Sequence, residues 1–264
     1  MPIPDRPTDP SSDPIPAAAL DWALFCDVDG TLLHIAETPD AVRVSARLRR
    51  ALGRMAERLE GAVALISGRR IDDLDRLFAP LHLPSAGLHG LERRDGAGRL
   101  HRLADAAEME PLRPALRAFA AARPGVMLED KGATLALHYR GDPARATEAR
   151  EAVERLTAGR LDRLRVLDGK MVIEIKPRFA HKGEAIAAFL REPPFRGRRP
   201  VFLGDDVTDE DGFRAVNDLG GVTVRVGADG RTQASHRLAG VDAVLVWLEG
   251  LPAALTAKAR EQQG

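Results

Sequence analysis

One cysteine, Cys26, among 264 residues leaves no intramolecular disulfide and no cysteine-rich zinc site, and it suits a reducing compartment. Charge of one sign is missing as well. Lysine plus arginine and aspartate plus glutamate total 39 each, so the basic footprint of a nucleic-acid binder is absent. No uninterrupted apolar run reaches the roughly 18 residues that a membrane helix requires. No nucleic-acid, membrane or obligate protein partner is therefore expected. What is present is a globular composition, 44% hydrophobic and 30% charged, long enough for one large domain or two modest ones. The first twenty residues hold prolines at 2, 4, 7, 10, 14 and 16 and read as a disordered leader. Asp21 interrupts the only apolar stretch near the start, Ala17 to Cys26, so no secretory signal is read and a cytoplasmic location is expected.

Strand and helix signals then alternate. Apolar runs at Ala23–Cys26 and 62–66 read as buried strands, with helices over 42–59 and 71–78 between and after them. That rhythm implies a doubly wound, mostly parallel Rossmann-like sheet, whose ligands lie beyond the C-terminal strand ends. After about residue 104 the pattern changes to helices over 108–122 and 143–158, strands over 126–130 and 134–139, and a hairpin 164–167/171–175 turning at Asp168-Gly169. The parallel rhythm returns with a helix at 182–190, a strand at 201–203, a helix near 210–216, and strands near 222–226 and 241–245. The arrangement read is an α/β core over 21–104 and 179–264, with a small α/β domain inserted over 105–178.

Four motifs fall at strand ends or helix starts. Asp27-Val28-Asp29-Gly30-Thr31 follows the first strand. One carboxylate there can bind a divalent cation and attack while the other works as acid and base, the glycine turns closely around an anion, and Thr31 donates to it. Alone, the motif reads as an acidic turn capping a strand; its place after a buried strand and the motifs that accompany it reverse that reading. Ser67-Gly68-Arg69 follows the second strand and reads both as a helix N-cap on Ser67 and as a phosphate-binding loop. Lys182 opens a helix, where a cation opposes the dipole, and it is one of five lysines against 34 arginines. Gly204-Asp205-Asp206-Val207-Thr208-Asp209-Glu210-Asp211 places five carboxylates in seven positions, an all-oxygen set that suits magnesium.

In this order the motifs resemble those of the haloacid dehalogenase superfamily of aspartyl-phosphate phosphatases. The resemblance implies Asp27 as nucleophile, Asp29 as general acid and base, and Lys182 as counter-charge. It implies Gly30, Thr31, Ser67, Gly68 and Arg69 around the phosphate, and Mg2+ held by Asp27, Asp29, Asp205 and Asp209. Gly87-Leu88-His89-Gly90-Leu91-Glu92, Glu129-Asp130-Lys131-Gly132, Leu137-His138-Tyr139-Arg140, Glu174-Ile175-Lys176-Pro177 and the acid-rich motif together resemble the trehalose-6-phosphate phosphatases. That implies a cap domain that closes over the core and excludes water, bringing Glu129, Lys131 and Glu174 onto sugar hydroxyls, with His89, His138 and Arg140 as weaker candidates. The implied activity is hydrolysis of trehalose 6-phosphate to trehalose and phosphate, the last step of trehalose biosynthesis. The alternatives are another sugar-phosphate phosphatase, of the sucrose-phosphate type, and a non-catalytic sugar-phosphate sensor.

Overall fold

The computed structural model describes residues 14–35, 42–103, 106–169, 171–228 and 230–261. Contacts divide the chain into two units, Met1–His101 with His181–Gly264, and Arg102–Ala180. Most of the leader expected over 1–20 lies outside the described residues. Its last part is anchored: Ala18 is 2% exposed in the core, and Ile15 and Ala19 pack against it.

The first unit is built on an eight-stranded sheet. In chain order its elements are β1 (Trp22–Asp27), α1 (Ala46–Arg58), β2 (Val63–Ile66), α2 (Ile71–Phe78), β3 (Ser85–Gly87), β4 (Glu92–Arg94) and β5 (Leu100–Arg102). After the second unit come α5 (Lys182–Leu190), β10 (Arg199–Gly204), α6 (Glu210–Asp218), β11 (Val222–Val226), β12 (His236–Leu238) and α7 (Val241–Glu261). The sheet order is β12-β11-β10-β1-β2-β3-β4-β5. From β12 through β3 neighbouring strands run parallel, and β3 to β4 is antiparallel. Every residue of β1 and β2 is buried, which is why both read as unbroken apolar runs rather than alternating ones.

Aromatic packing fixes the helix that carries Lys182. Phe25 of β1 meets Phe189 of α5 at 5.9 Å between ring centroids and Phe195 at 5.4 Å. Such pairs add about 0.5–1.5 kcal/mol beyond their area burial. The start of α5 is thereby set over the end of β1.

Two local expectations are corrected. Residues 42–45 precede α1 rather than belonging to it, because Ser45 caps the helix by accepting from the Leu48 amide at 3.1 Å. Residues 241–245 are helical, not a strand: Val244, Leu248, Leu251 and Leu255 bury at helical spacing along α7. The strand read there lies earlier, at β12.

The second unit contains α3 (Arg113–Ala121), β6 (Met127–Asp130), β7 (Leu135–His138), α4 (Ala146–Thr157), β8 (Leu164–Gly169) and β9 (Val172–Pro177). Its sheet runs β6-β7-β9-β8, each neighbour antiparallel. Leu135, Leu137, Ile173 and Ile175 bury against Leu116, Ala149 and Val153 of the helices. The opposite face carries the alternating polar residues. The hairpin turns two residues later than Asp168-Gly169, which stay inside β8 and pair with Ile173 and Val172. Met171 takes φ 64° in the turn, and residue 170 lies outside the described residues.

Candidate active site

β1 lies between β2 and β10, all parallel, so the three C-terminal ends deliver Asp27, Ser67 and Asp205 to one sheet edge. Asp27 ends β1 at 4% exposure, with Oδ1 accepting from Lys182 Nζ at 2.7 Å. Its other oxygen, Oδ2, is buried without a hydrogen-bond partner. Burial pushes the Asp27 carboxyl well up, and the neighbouring Asp209 and Asp205 add to this while Lys182 opposes it. Burial would lower the Lys182 ammonium, but Asp209 and Asp27 outweigh it and hold the group firmly charged.

The five clustered carboxylates divide their work. Asp209, fully buried, accepts from Lys182 Nζ at 2.7 Å through Oδ1 and from the Asp205 and Asp206 amides at 3.0 Å through Oδ2. It thus fixes the lysine and the 204–206 turn together. Asp205 reaches the site, and burial together with the Asp209 charge raises its carboxyl to about 6. Asp206 is exposed and caps the turn by accepting from the Val207 amide. Glu210 bonds Thr232 and the Gln233 amide, and Asp211 faces Arg214. The density that looked like one ligand set is therefore two site residues and three local ties.

The loop after β1 is tightly closed. The Leu33 amide donates to Val28 O at 2.9 Å and the Gly30 amide to Leu33 O at 2.7 Å. Gly30 holds φ 90°, and a Cβ there would stand 2.0 Å from Asp205 Oδ2. Only glycine allows both the turn and that approach. Thr31 Oγ1 donates to Asp205 Oδ1 at 3.3 Å. Asp29 is gripped by Arg69, Nε to Oδ2 at 2.6 Å and a terminal nitrogen to Oδ1 at 2.7 Å, a bidentate pair.

Ser67 is not the cap of α2; Arg70 holds that position. The Ser67 hydroxyl accepts instead from the Arg69 amide at 3.1 Å, shaping the loop. The helix terminus is served by Glu92, whose Oε1 accepts from the Ile71 amide at 2.6 Å. Sequence reading assigned Glu92 no role, because its partner lies 21 residues away. His89 packs beneath the same loop. It is 5% exposed, its amide donates to Ser67 O at 2.9 Å, and its ring would stand 2.8 Å from a Cβ at Gly68. The motif around His89 is thus the seat of the 67–69 loop.

In the second unit, Glu129, Lys131 and Glu174 come together: Lys131 Nζ stands 3.7 Å from Glu129 and 3.8 Å from Glu174. His138 Nε2 meets Glu129 Oε2 at 2.8 Å. Burial would raise the Glu129 carboxyl, but His138 and Lys131 outweigh it and hold the group below its ordinary range. The turn bearing Lys131 is braced by Arg113, which donates to Asp130 Oδ2 at 2.9 Å and to the Gly132 carbonyl. Arg140 lies in the turn after β7, two residues from His138.

The donor set fits a hard divalent cation. Carboxylate oxygens of Asp27, Asp205 and Asp209 lie within 4.8 Å of one another, and Asp27 Oδ2 is left without a protein donor. Among the described residues no helix is long and apolar enough to cross a membrane.

A family model described as trehalose-phosphatase matches residues 25–242. The chain is 47% identical over 234 residues to a probable trehalose-phosphate phosphatase of Sinorhizobium fredii (strain NBRC 101917 / NGR234), over 86% of this chain and 88% of that one. It is 46% identical over 245 residues to the trehalose-6-phosphate phosphatase of Escherichia coli (strain K12), over 92% of this chain and 91% of that one. A solved structure, the C-terminal domain of the C. albicans trehalose-6-phosphate phosphatase, is similar with a TM-score of 0.79 at 25% identity, over 93% of this chain and 100% of that one.

Proposed function

The chain belongs to the trehalose-phosphatase family of the haloacid dehalogenase superfamily, and from that premise we infer its chemistry. It hydrolyses trehalose 6-phosphate to trehalose and inorganic phosphate, the closing dephosphorylation of trehalose biosynthesis. The observation that carries the reading is Asp27, whose Oδ1 is fixed by Lys182 while its buried Oδ2 has no partner.

Asp27 Oδ2 attacks phosphorus, the bond from phosphorus to the sugar oxygen breaks, and Asp29 gives that oxygen its proton. Asp29 then takes a proton from water, the water oxygen bonds to phosphorus, and the bond to Asp27 breaks to release phosphate. Gly30, Thr31, Ser67, Gly68 and Arg69 are the groups we assign to the phosphate oxygens. In this structure Arg69 is paired with Asp29, and the guanidinium turns from that carboxyl to the phosphate when Asp29 takes up its proton. Lys182 offsets the charge on Asp27 throughout.

Phosphatases of this superfamily use Mg2+. Here Asp27, Asp205 and the backbone carbonyl of Asp29 would hold it, with Asp209 behind them. When bound, it supplies charge neutralisation at the phosphoryl oxygens. Glu129, Lys131 and Glu174 are assigned to the sugar hydroxyls because two carboxylates and an ammonium offer charge-assisted hydrogen bonds to a polyol. His89, seated under the phosphate loop, is assigned to positioning that loop rather than to the sugar. The unit 102–180 is read as the cap, and the buried lone thiol of Cys26 accords with a cytoplasmic location.

The test is phosphate release from trehalose 6-phosphate, sucrose 6-phosphate and glucose 6-phosphate, with Mg2+ and with chelator. A Mg2+-dependent preference for trehalose 6-phosphate is expected. Equal turnover of all three discards the sugar assignment, and binding without release promotes the sensor.

A further inference from the structure

The polar face of the second unit's sheet carries more than the three residues assigned to sugar. Glu129 of β6, Ala136 of β7 and Glu174 of β9 lie in one row across three strands. Side chains directly opposite one another share a face, so the two carboxylates flank the methyl of Ala136. His138 lies two residues further along β7, opposite Met127 and diagonal to Glu129. A diagonal partner is within reach of a long side chain, and the contact is made: Nε2 donates to Glu129 Oε2 at 2.8 Å.

That bond has a specific consequence. A glutamate on a strand has three side-chain torsions to order before it meets a ligand, and each rotamer-rich group immobilised on binding weakens affinity. Lys131 alone does not fix Glu129, since it stands beyond hydrogen-bond length at 3.7 Å and is nearly equidistant from Glu174 at 3.8 Å. The short contact to Glu129 in this cluster comes from His138. Remove it, and the carboxylate turns toward the nearest remaining cation, Lys131, narrowing the gap over Ala136.

We propose that His138 is a positioning residue for sugar recognition: it holds Glu129 apart from Lys131 and Glu174 in the geometry that meets the substrate's hydroxyls. The inference rests on the assignment of Glu129 to the sugar. It places His138 in substrate binding and not in phosphoryl transfer, so its loss acts on KM rather than kcat.

The experiment is steady-state kinetics of the full chain with trehalose 6-phosphate and Mg2+, comparing wild type, His138→Ala, His138→Gln, Glu129→Ala and the His138→Ala/Glu129→Ala pair. His138→Ala raises KM about tenfold with kcat within about twofold, as expected for one lost charge-assisted contact. His138→Gln, whose amide can reach the same carboxylate, recovers most of that loss. In the Glu129→Ala background, His138→Ala adds no further rise, the mark of two residues acting as one unit. If Glu129→Ala leaves KM unchanged, the sugar assignment itself fails. If Glu129→Ala raises KM while His138→Ala does not, or if the two losses add in full, the positioning role alone is overturned. A fall in kcat at constant KM also overturns it.

Discussion

Asp209→Asn is a one-atom change that the geometry makes severe. Both Asp209 oxygens face donors: Oδ1 takes the Lys182 ammonium at 2.7 Å, and Oδ2 takes the Asp205 and Asp206 amides at 3.0 Å. An asparagine keeps one oxygen and gains one amino group. Whichever way it is turned, the amino group confronts either the ammonium or the two backbone N–H groups. The residue is fully buried, so no water relieves the conflict. Breaking a buried charge pair in this way costs about 3–5 kcal/mol. For a chain of this size that lowers Tm by roughly 6–20 °C. The assay is a thermal melt of Asp209→Asn beside Asp206→Asn, whose side chain is exposed and accepts from the Val207 and Asp209 amides through an oxygen that asparagine keeps. The control should melt within about 2 °C of wild type, as surface changes usually do. If Asp209→Asn matches the control, Asp209 does not organise the site as described.

Gly30→Ala places a methyl 2.0 Å from Asp205 Oδ2 at a φ of 90°. The carboxylate must move by about an ångström, which lowers kcat/KM about 100-fold; phosphate release within threefold of wild type would refute the close-approach argument. Asp95, 3% exposed, accepts from the Ala97 and Arg99 amides, from Arg99 Nε and from His101, and these bonds outweigh burial to hold its carboxyl far below the usual range. A depressed folded pKa contributes stability above the unfolded value of about 3.9, lost as pH falls below it. Asp95→Asn should therefore destabilise by about 1.5–3 kcal/mol at pH 7, and urea midpoints should show the gap narrowing below about pH 4. An equal gap at pH 7 and pH 3 would contradict this.

Much of this was legible in the sequence for a physical reason. Fully buried parallel strands are written as apolar runs, and a run that stops at a carboxylate, as at Cys26-Asp27, marks a strand's C-terminal end. α2 and α5 were read with the bounds they have, since their periodicity is local. What local pattern does not hold is the partner. Whether Asp205, Asp206 or Asp209 faces the site depends on side-chain direction within one turn. The cap of α2 comes from Glu92 across the sheet, not from the nearby Ser67. The run Val241–Leu245 is too short for period to separate strand from helix, and only the later burial of Leu248, Leu251 and Leu255 decides it. His138 stood only as a weaker sugar candidate, since its contact to Glu129 is diagonal between strands and local pattern does not show it.

The central claim is that phosphate passes through Asp27 and leaves with help from Asp29. Asp29→Asn keeps the nucleophile but removes both the acid that serves the sugar oxygen and the base that activates water, so transfer to Asp27 is slowed and hydrolysis of the phosphoryl group is slowed with it. Trehalose 6-phosphate and Mg2+ are mixed with this variant, quenched in acid, and the peptides mapped by mass spectrometry. A phosphoryl group on the peptide bearing Asp27, absent when Asp27→Asn is added to the same variant, is the predicted result. A phosphoryl group on another residue, or phosphate release by Asp27→Asn alone at the wild-type rate, would contradict the account.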